Sequence, residues 1–141
     1  MGFQRIRTVR DIRPGDVLAH EMTELSDQKS ALSTGHVLMF DTAPRPIEPK
    51  EPVVPGTTQF EARIIDSSTD PTGPDDTRLA DRSKKVTGAG RGTLRLYADS
   101  DGTLVGWART FKGTKRFFSY DPRFPSDTKP RRVAVGRPIT G

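Results

Sequence analysis

Short apolar runs bounded by turn residues recur along the chain, and no segment holds apolar residues at the spacing of a long amphipathic helix. In "VRDIRPGDVLAH", Pro14 and Gly15 make a turn that feeds an extended run from Val17 to Ala19, with Asp16 capping the turn. Residues Glu21 to Thr34 are polar and read as a loop with a frayed helical turn, and the strand of "GHVLMF" follows. In "FEARIIDSS", Phe60, Ala62 and Ile64 share one face, and Ile65 is expected to be buried near the sheet centre. The segment "GTLRLYADSDGTLVGWART" is the best hairpin. Leu94, Leu96 and Ala98 alternate with polar residues, and Asp101-Gly102 precedes Leu104-Val105. "KRFFSY" adds another strand, and "RRVAVGRP" a last one ended by Pro138. The pattern predicts about six short strands and no internal repeat.

The connections are as distinctive as the strands. Pro44, Pro46, Pro49, Pro52 and Pro55 make 43–58 an extended excursion, with PxxP spacings that any proline-dense loop produces. "PTGPDDTRLADRSKK" reads as an irregular charged loop, and Gly88 to Gly92 ("GAGRG") as a glycine-permitted turn into the strand at Thr93, without the helix and Lys-Ser/Thr pair of a phosphate loop. A chain of 141 residues suits one domain, 1–141, yet its hydrophobic share is only 32%. The fold class expected is mainly β or α+β, a small antiparallel sheet or half-barrel. Such a sheet has a face needing cover, and this sequence offers no amphipathic helix for it. Either an element is missing or the proline-rich loop folds back.

Composition then limits the chemistry. There is no cysteine, which excludes disulfides, thiolate metal sites and a cysteine nucleophile within these 141 residues. His20 and His36 are the two histidines, no carboxylates are spaced with them for zinc, and neither a metal nor another cofactor is expected. No apolar run approaches the length of a membrane span, and the charged N-terminus lacks the apolar centre of a signal peptide. The net charge is +5, and Arg109, Lys112, Lys115 and Arg116 lie in a C-terminal third opposed only by Asp121 and Asp127. Interleaved with Trp107, Phe111, Phe117, Phe118 and Tyr120, these cations allow a basic β-barrel module for nucleic acid or another anionic polymer, or simply a solvated face beside core aromatics.

Four segments, in order, resemble the catalytic-histidine half of NlpC/P60-type cysteine peptidases, which have a papain-like fold. "DIRPGDVLAH" resembles that family's Pro-Gly-Asp strand, "TGHVLMF" its His-Val strand, "ARIIDSS" the strand carrying a polar third residue, and "RRVAVGRP" the closing strand. The resemblance runs from about Phe3 to Pro138 and implies that His36 is a general base and Asp66 its orienting partner. It implies cleavage of amide bonds in cell-wall peptides through an acyl-thiol intermediate. It also implies a missing N-terminal, helical, Cys-bearing part, so that the chain is a fragment or an inactive derivative, with peptidoglycan peptide and that absent segment as partners.

Plainer readings stand beside these. His36 is also what a strand-end histidine looks like, and Asp66 an Asp–Ser cap. His20 reads as exposed and idle, and Ser30, Ser33, Ser67 and Ser68 are poorly placed to replace a thiol. A structural, virion-type interaction protein docking through the proline-rich loop is a third class.

Overall fold

The computed structural model describes residues 2–21, 35–81, 83–111 and 114–140, with the side chains at 109–111 and 114–115 excepted. Among the described residues there are nine strands: β1 (Gly2–Ile6), β2 (Val17–Glu21), β3 (Gly35–Phe40), β4 (Arg45–Pro46), β5 (Thr58–Ser68), β6 (Gly88–Ala98), β7 (Leu104–Phe111), β8 (Thr114–Ser119) and β9 (Val133–Ile139). They form one antiparallel sheet in the order β1-β9-β2-β3-β5-β6-β7-β8, with β4 paired to β5. Among the described residues the only helical pieces are 3-10 turns, at Val9–Asp11 and Thr77–Leu79. The fold is mainly β, as the period-two pattern predicts.

The sheet curls into a half-barrel because one face of nearly every strand is apolar. Leu18, Leu38, Phe40, Phe60, Ala62, Ile64, Leu96, Trp107 and Val135 are buried together inside. Backbone bonds draw the two ends of the strand order together: Leu104 N–H donates to Arg7 O (2.8 Å), Val9 N–H to Gly102 O (2.9 Å) and Arg131 N–H to Ser119 O (2.9 Å). Across the interior, the His20 ring of β2 packs on Trp107 of β7 with centroids 4.8 Å apart.

The proline-rich excursion covers part of the outer face. Tyr97 Oη donates to Pro52 O (2.6 Å), and Arg95 Nη1 donates to Glu51 O (2.7 Å). The Gln59 side-chain amide donates to Lys50 O (2.8 Å). Val54 and Phe124 pack on Tyr97, Val105, Ala108 and Phe117, making a second apolar cluster under this strap. A low apolar content is thus concentrated in two clusters, and the long connections carry cover that a helix would otherwise supply.

Several sequence expectations need correction. β1 was not anticipated: no apolar alternation marks GFQRI, whose first four residues are exposed, yet it pairs with β9 from Gly2↔Ile139 to Ile6↔Val135. Pro138 does not end the last strand. It sits opposite Phe3 in that ladder, where the strand continues to Ile139. Ile65 points to the outer face and is only half-buried, because its neighbours Ile64 and Asp66 take the inner face. "GAGRG" is part of β6, not a turn leading into it. The helical turn expected in 21–34 falls on residues 22–34, outside the described residues.

Two glycines of β6 have a steric reason. A Cβ on Gly90 would lie 2.4 Å from Arg78 Nε, and one on Gly92 would lie 2.0 Å from Thr72 O. The connection from Thr69 to Asp81 therefore lies directly on the sheet, and Thr93 N–H donates to Thr72 O at 3.0 Å. Close backbone approach is what a glycine inside a strand permits. Gly92→Ala is expected to lower stability by about 1–3 kcal/mol by overpacking this contact, which a fall in the urea midpoint at unchanged slope would report.

Candidate functional site

His36 is carried by β3 and Asp66 by β5. The register sets Leu38 opposite Asp66, so His36 lies on the diagonal, one pleat further along the same inner face. Diagonal neighbours are within reach of long side chains. Here His36 Nε2 lies 2.7 Å from Asp66 Oδ2. The Asp66 side chain is 1% exposed and that of His36 is 19% exposed. The sequence-predicted pair is therefore brought together, with the carboxylate inside and the imidazole at the rim.

Asp66 does not stand alone. Its Oδ1 accepts from Arg78 Nη2 at 2.6 Å, and the same guanidinium donates to Asp76 through Nε (2.8 Å to Oδ1) and Nη2 (2.7 Å to Oδ2). Arg78 Nη1 donates to Gly88 O at 3.1 Å. Asp76 in turn caps the turn at Thr77–Leu79, accepting from Arg78 N–H at 2.8 Å, and holds Thr72 N–H at 2.7 Å. Burial by itself would raise the Asp66 pKa. Hydrogen bonds from His36 and Arg78, with the charge on Arg78, outweigh it and keep the carboxyl below the ordinary aspartate range. Asp76 is likewise lowered against its burial, chiefly by its bonds from Arg78 and the Thr72 amide. Both carboxylates are ionised acceptors.

An ionised Asp66 dictates the proton on its partner. A carboxylate that only accepts requires a donor at Nε2, so that nitrogen carries hydrogen and Nδ1 is the one left for other work in the neutral ring. No group among the described residues bonds Nδ1. Next to it lies the second histidine. His20 is directly opposite His36 in the β2–β3 ladder, with ring centroids 5.7 Å apart. Its Nδ1 lies 3.1 Å from Glu21 O. His20 is thus half-buried between His36 and Trp107, not exposed as its sequence context suggested, because the curl of the sheet brings β7 over it.

Both imidazoles line a cleft of about 790 Å³, together with Val37, Leu104, Val105, Tyr120, Arg132 and Val133 among others. Its size falls in the range of small-ligand sites. Arg132 stacks on Tyr120, with Cζ 4.9 Å from the ring centroid, and its backbone N–H donates to Glu21 Oε2 at 2.8 Å. The cleft therefore has an apolar floor with imidazole, guanidinium and phenol groups around it. Among the described residues no His/Cys/Asp/Glu cluster could hold a metal ion.

The other candidates are dispersed. Lys112 is outside the described residues, as are the side chains of Arg109 and Lys115; Arg116 is exposed on β8, its backbone opposite that of Arg109. Trp107, Phe117 and Phe118 are core residues, whereas Tyr120 is exposed. Ser30 and Ser33 lie outside the described residues. Ser67 is exposed, and Ser68 Oγ accepts from Asp70 N–H at 3.1 Å. Asp16 caps its turn as expected, through Arg13 N–H at 2.8 Å, and also holds Arg137 Nε at 2.9 Å. Sequence reasoning missed Arg78, Asp76 and His20. The glycines at 90 and 92 were the available signal, since they mark where something must approach the strand.

No known protein family matches the sequence, and no solved structure matches it. An uncharacterized protein of Acanthamoeba polyphaga mimivirus is 28% identical over 123 residues, covering 82% of this chain and 52% of the viral protein. The chain thus spans about half the length of the curated relative it matches.

Because the folded pKa values of Asp66 and Asp76 lie below the ordinary 3.8, their contribution to stability is present above that value and lost as pH falls through the lower folded values. Denaturant midpoints are expected to drop steeply below about pH 4 and less steeply in Asp66→Asn. At neutral pH that variant should lose about 3 kcal/mol, since it gives up the charge of the acceptor in two hydrogen bonds, from His36 and from Arg78.

Proposed function

We propose that this chain is the histidine-bearing sheet of an NlpC/P60-like amidase site, whose thiol comes from a segment outside these 141 residues. By itself it would bind cell-wall-type peptide without cleaving it. The observation that carries this reading is the ordered pair of contacts at His36: Nε2 fixed on an ionised, buried Asp66 at 2.7 Å, and the ring at the rim of a peptide-sized cleft.

In the full reaction, Nδ1 of His36 takes the proton from a thiol placed in the cleft. The thiolate attacks the amide carbon, and the C–N bond breaks as the imidazolium returns its proton to the leaving amine. Water then hydrolyses the thioester by the same base. Asp66 holds the ring and balances the imidazolium but keeps no proton. Tyr120, Arg132 and the apolar walls from Leu104, Val105 and Val133 would hold the peptide. The thiol is not among these 141 residues, which hold no cysteine.

The second reading, a basic module for an anionic polymer, draws on the register that places Arg109 opposite Arg116 in the ladder between β7 and the edge strand β8. It makes no use of the cleft that holds His20 and His36. It would be favoured by a steep salt dependence of single-stranded nucleic acid binding that neutralising Lys115 and Arg116 removes.

The leading reading is tested by titrating the chain with soluble peptidoglycan stem peptides and by fusing to it the thiol-bearing helical segment of an NlpC/P60 enzyme. Shifts at His36, Tyr120 and Arg132 without cleavage are expected for the chain alone, and amide hydrolysis for the fusion. His36→Ala should reduce the latter by about 100-fold or more. A fusion that folds, binds no stem peptide and hydrolyses nothing would overturn it.

A further inference from the structure

Arg78 uses every donor it has on the wall behind His36. Nε and one Nη2 proton go to Asp76, the second Nη2 proton to Asp66, and Nη1 to Gly88 O (3.1 Å) and Ser68 O (3.4 Å). Its side chain is 1% exposed and that of Asp76 is fully buried. The space it fills exists because residue 90 has no Cβ, and Gly90 is directly opposite Asp66 in the ladder. A guanidinium seated over a glycine, between two carboxylates, is a costly arrangement if its purpose is only packing, since well-fitted apolar residues do as well or better. It also ties the connection before β6 to the imidazole through a single carboxylate.

We propose that Arg78 is a positioning residue for His36: by occupying Oδ1 of Asp66 it holds that carboxylate ionised and oriented, so that Oδ2 fixes the imidazole proton on Nε2 and leaves Nδ1 facing outward as the acceptor. The chemistry follows from what each form of Asp66 can do. As an anion it only accepts, and one tautomer of His36 satisfies it. In a water-poor pocket without Arg78, a carboxyl gains from protonation or from rotating its free oxygen toward another donor, and either change releases Nε2. Asp76 supplies the opposing anchor. Its two oxygens grip Nε and Nη2, fixing the plane of the guanidinium and therefore the point at which Nη2 meets Asp66. The effect is transmitted through one hydrogen-bonded chain, Asp76–Arg78–Asp66–His36, with no contact between Arg78 and the cleft.

This deepens the proposed role of His36 as a base, and its test does not depend on turnover. The 141-residue chain labelled with 15N-histidine has two rings to observe, and His20→Gln assigns them. Wild type is expected to show His36 as the Nε2–H tautomer with a slowly exchanging, low-field ring proton. Arg78→Met combined with Asp76→Asn removes one cation and one anion together, so the net charge of the buried cluster is unchanged while Asp66 loses its guanidinium. That variant should exchange the Nε2 proton at least tenfold faster and populate the Nδ1–H tautomer. Arg78→Lys, which keeps the charge, should restore most of the wild-type signature. Should the double variant fail to fold, Gly90→Ala displaces the guanidinium without removing it and is read in the same way.

A folded variant with the wild-type tautomer and exchange rate overturns the proposal and makes Arg78 a packing residue. Absence of hydrolysis in the thiol-bearing fusion would sink the amidase reading while leaving the tautomer result intact, so the two failures are distinguishable.

Discussion

A carboxylate buried on the inner face of a curled sheet can persist only if its charge is matched there, and Asp66 meets that condition with an imidazole on one oxygen and a guanidinium on the other. Much of the architecture around it follows from this constraint. Arg78 must reach the sheet, so the connection before β6 lies flat upon it. That connection can lie flat only where β6 has glycine, and Asp76 must accompany Arg78 to hold its other edge. Four hydrogen-bonded side chains thus determine the path of a loop whose own sequence has no regular pattern. An isolated surface ion pair would not have this reach, because water would screen it and its partners could drift.

The same sheet solves a composition problem. With so few apolar residues, the chain cannot afford helices on both faces, and it places bulky residues on the inner face and closes the ends of the strand order on each other. The proline-rich strap then covers β5, β6 and β7 from outside, held by backbone carbonyls that Tyr97, Arg95 and Gln59 capture. Among the described residues the outer face of β2, β3 and β9 has no such cover. Val37 is 58% exposed and Met39 40%, and the cross-strand row runs from Val37 through Ala19 to Ala134. Ala19, Val37 and Ala134 also line the cleft that holds both histidines.

The site itself is asymmetric. On its inner side Asp66, Arg78 and Asp76 are bonded to one another, and on its outer side the imidazole ring stands at the rim of an open cleft. The imidazole is held from behind by a buried anion, and that anion by a buried cation seated over a strand glycine.

What the sequence by itself determined were features with a local cause. Period-two alternation set Phe60, Ala62 and Ile64 on one face and Leu94, Leu96 and Ala98 apart from their polar neighbours, and Asp101-Gly102 marked the hairpin, because side-chain direction and turn geometry depend on neighbours along the chain. The resemblance in "GHVLMF" and "ARIIDSS" singled out His36 and Asp66, and their meeting required only adjacent strands in one register. Tertiary structure alone decided the rest. His20 became part of the cleft because the sheet curls far enough to lay Trp107 on it, and β1 became a strand because β9 offered it an edge. Arg78 and Asp76 entered the site through contacts made across the sheet. A buried charge is chosen by what faces it in space, and nothing in the order of residues states which strand will face which loop.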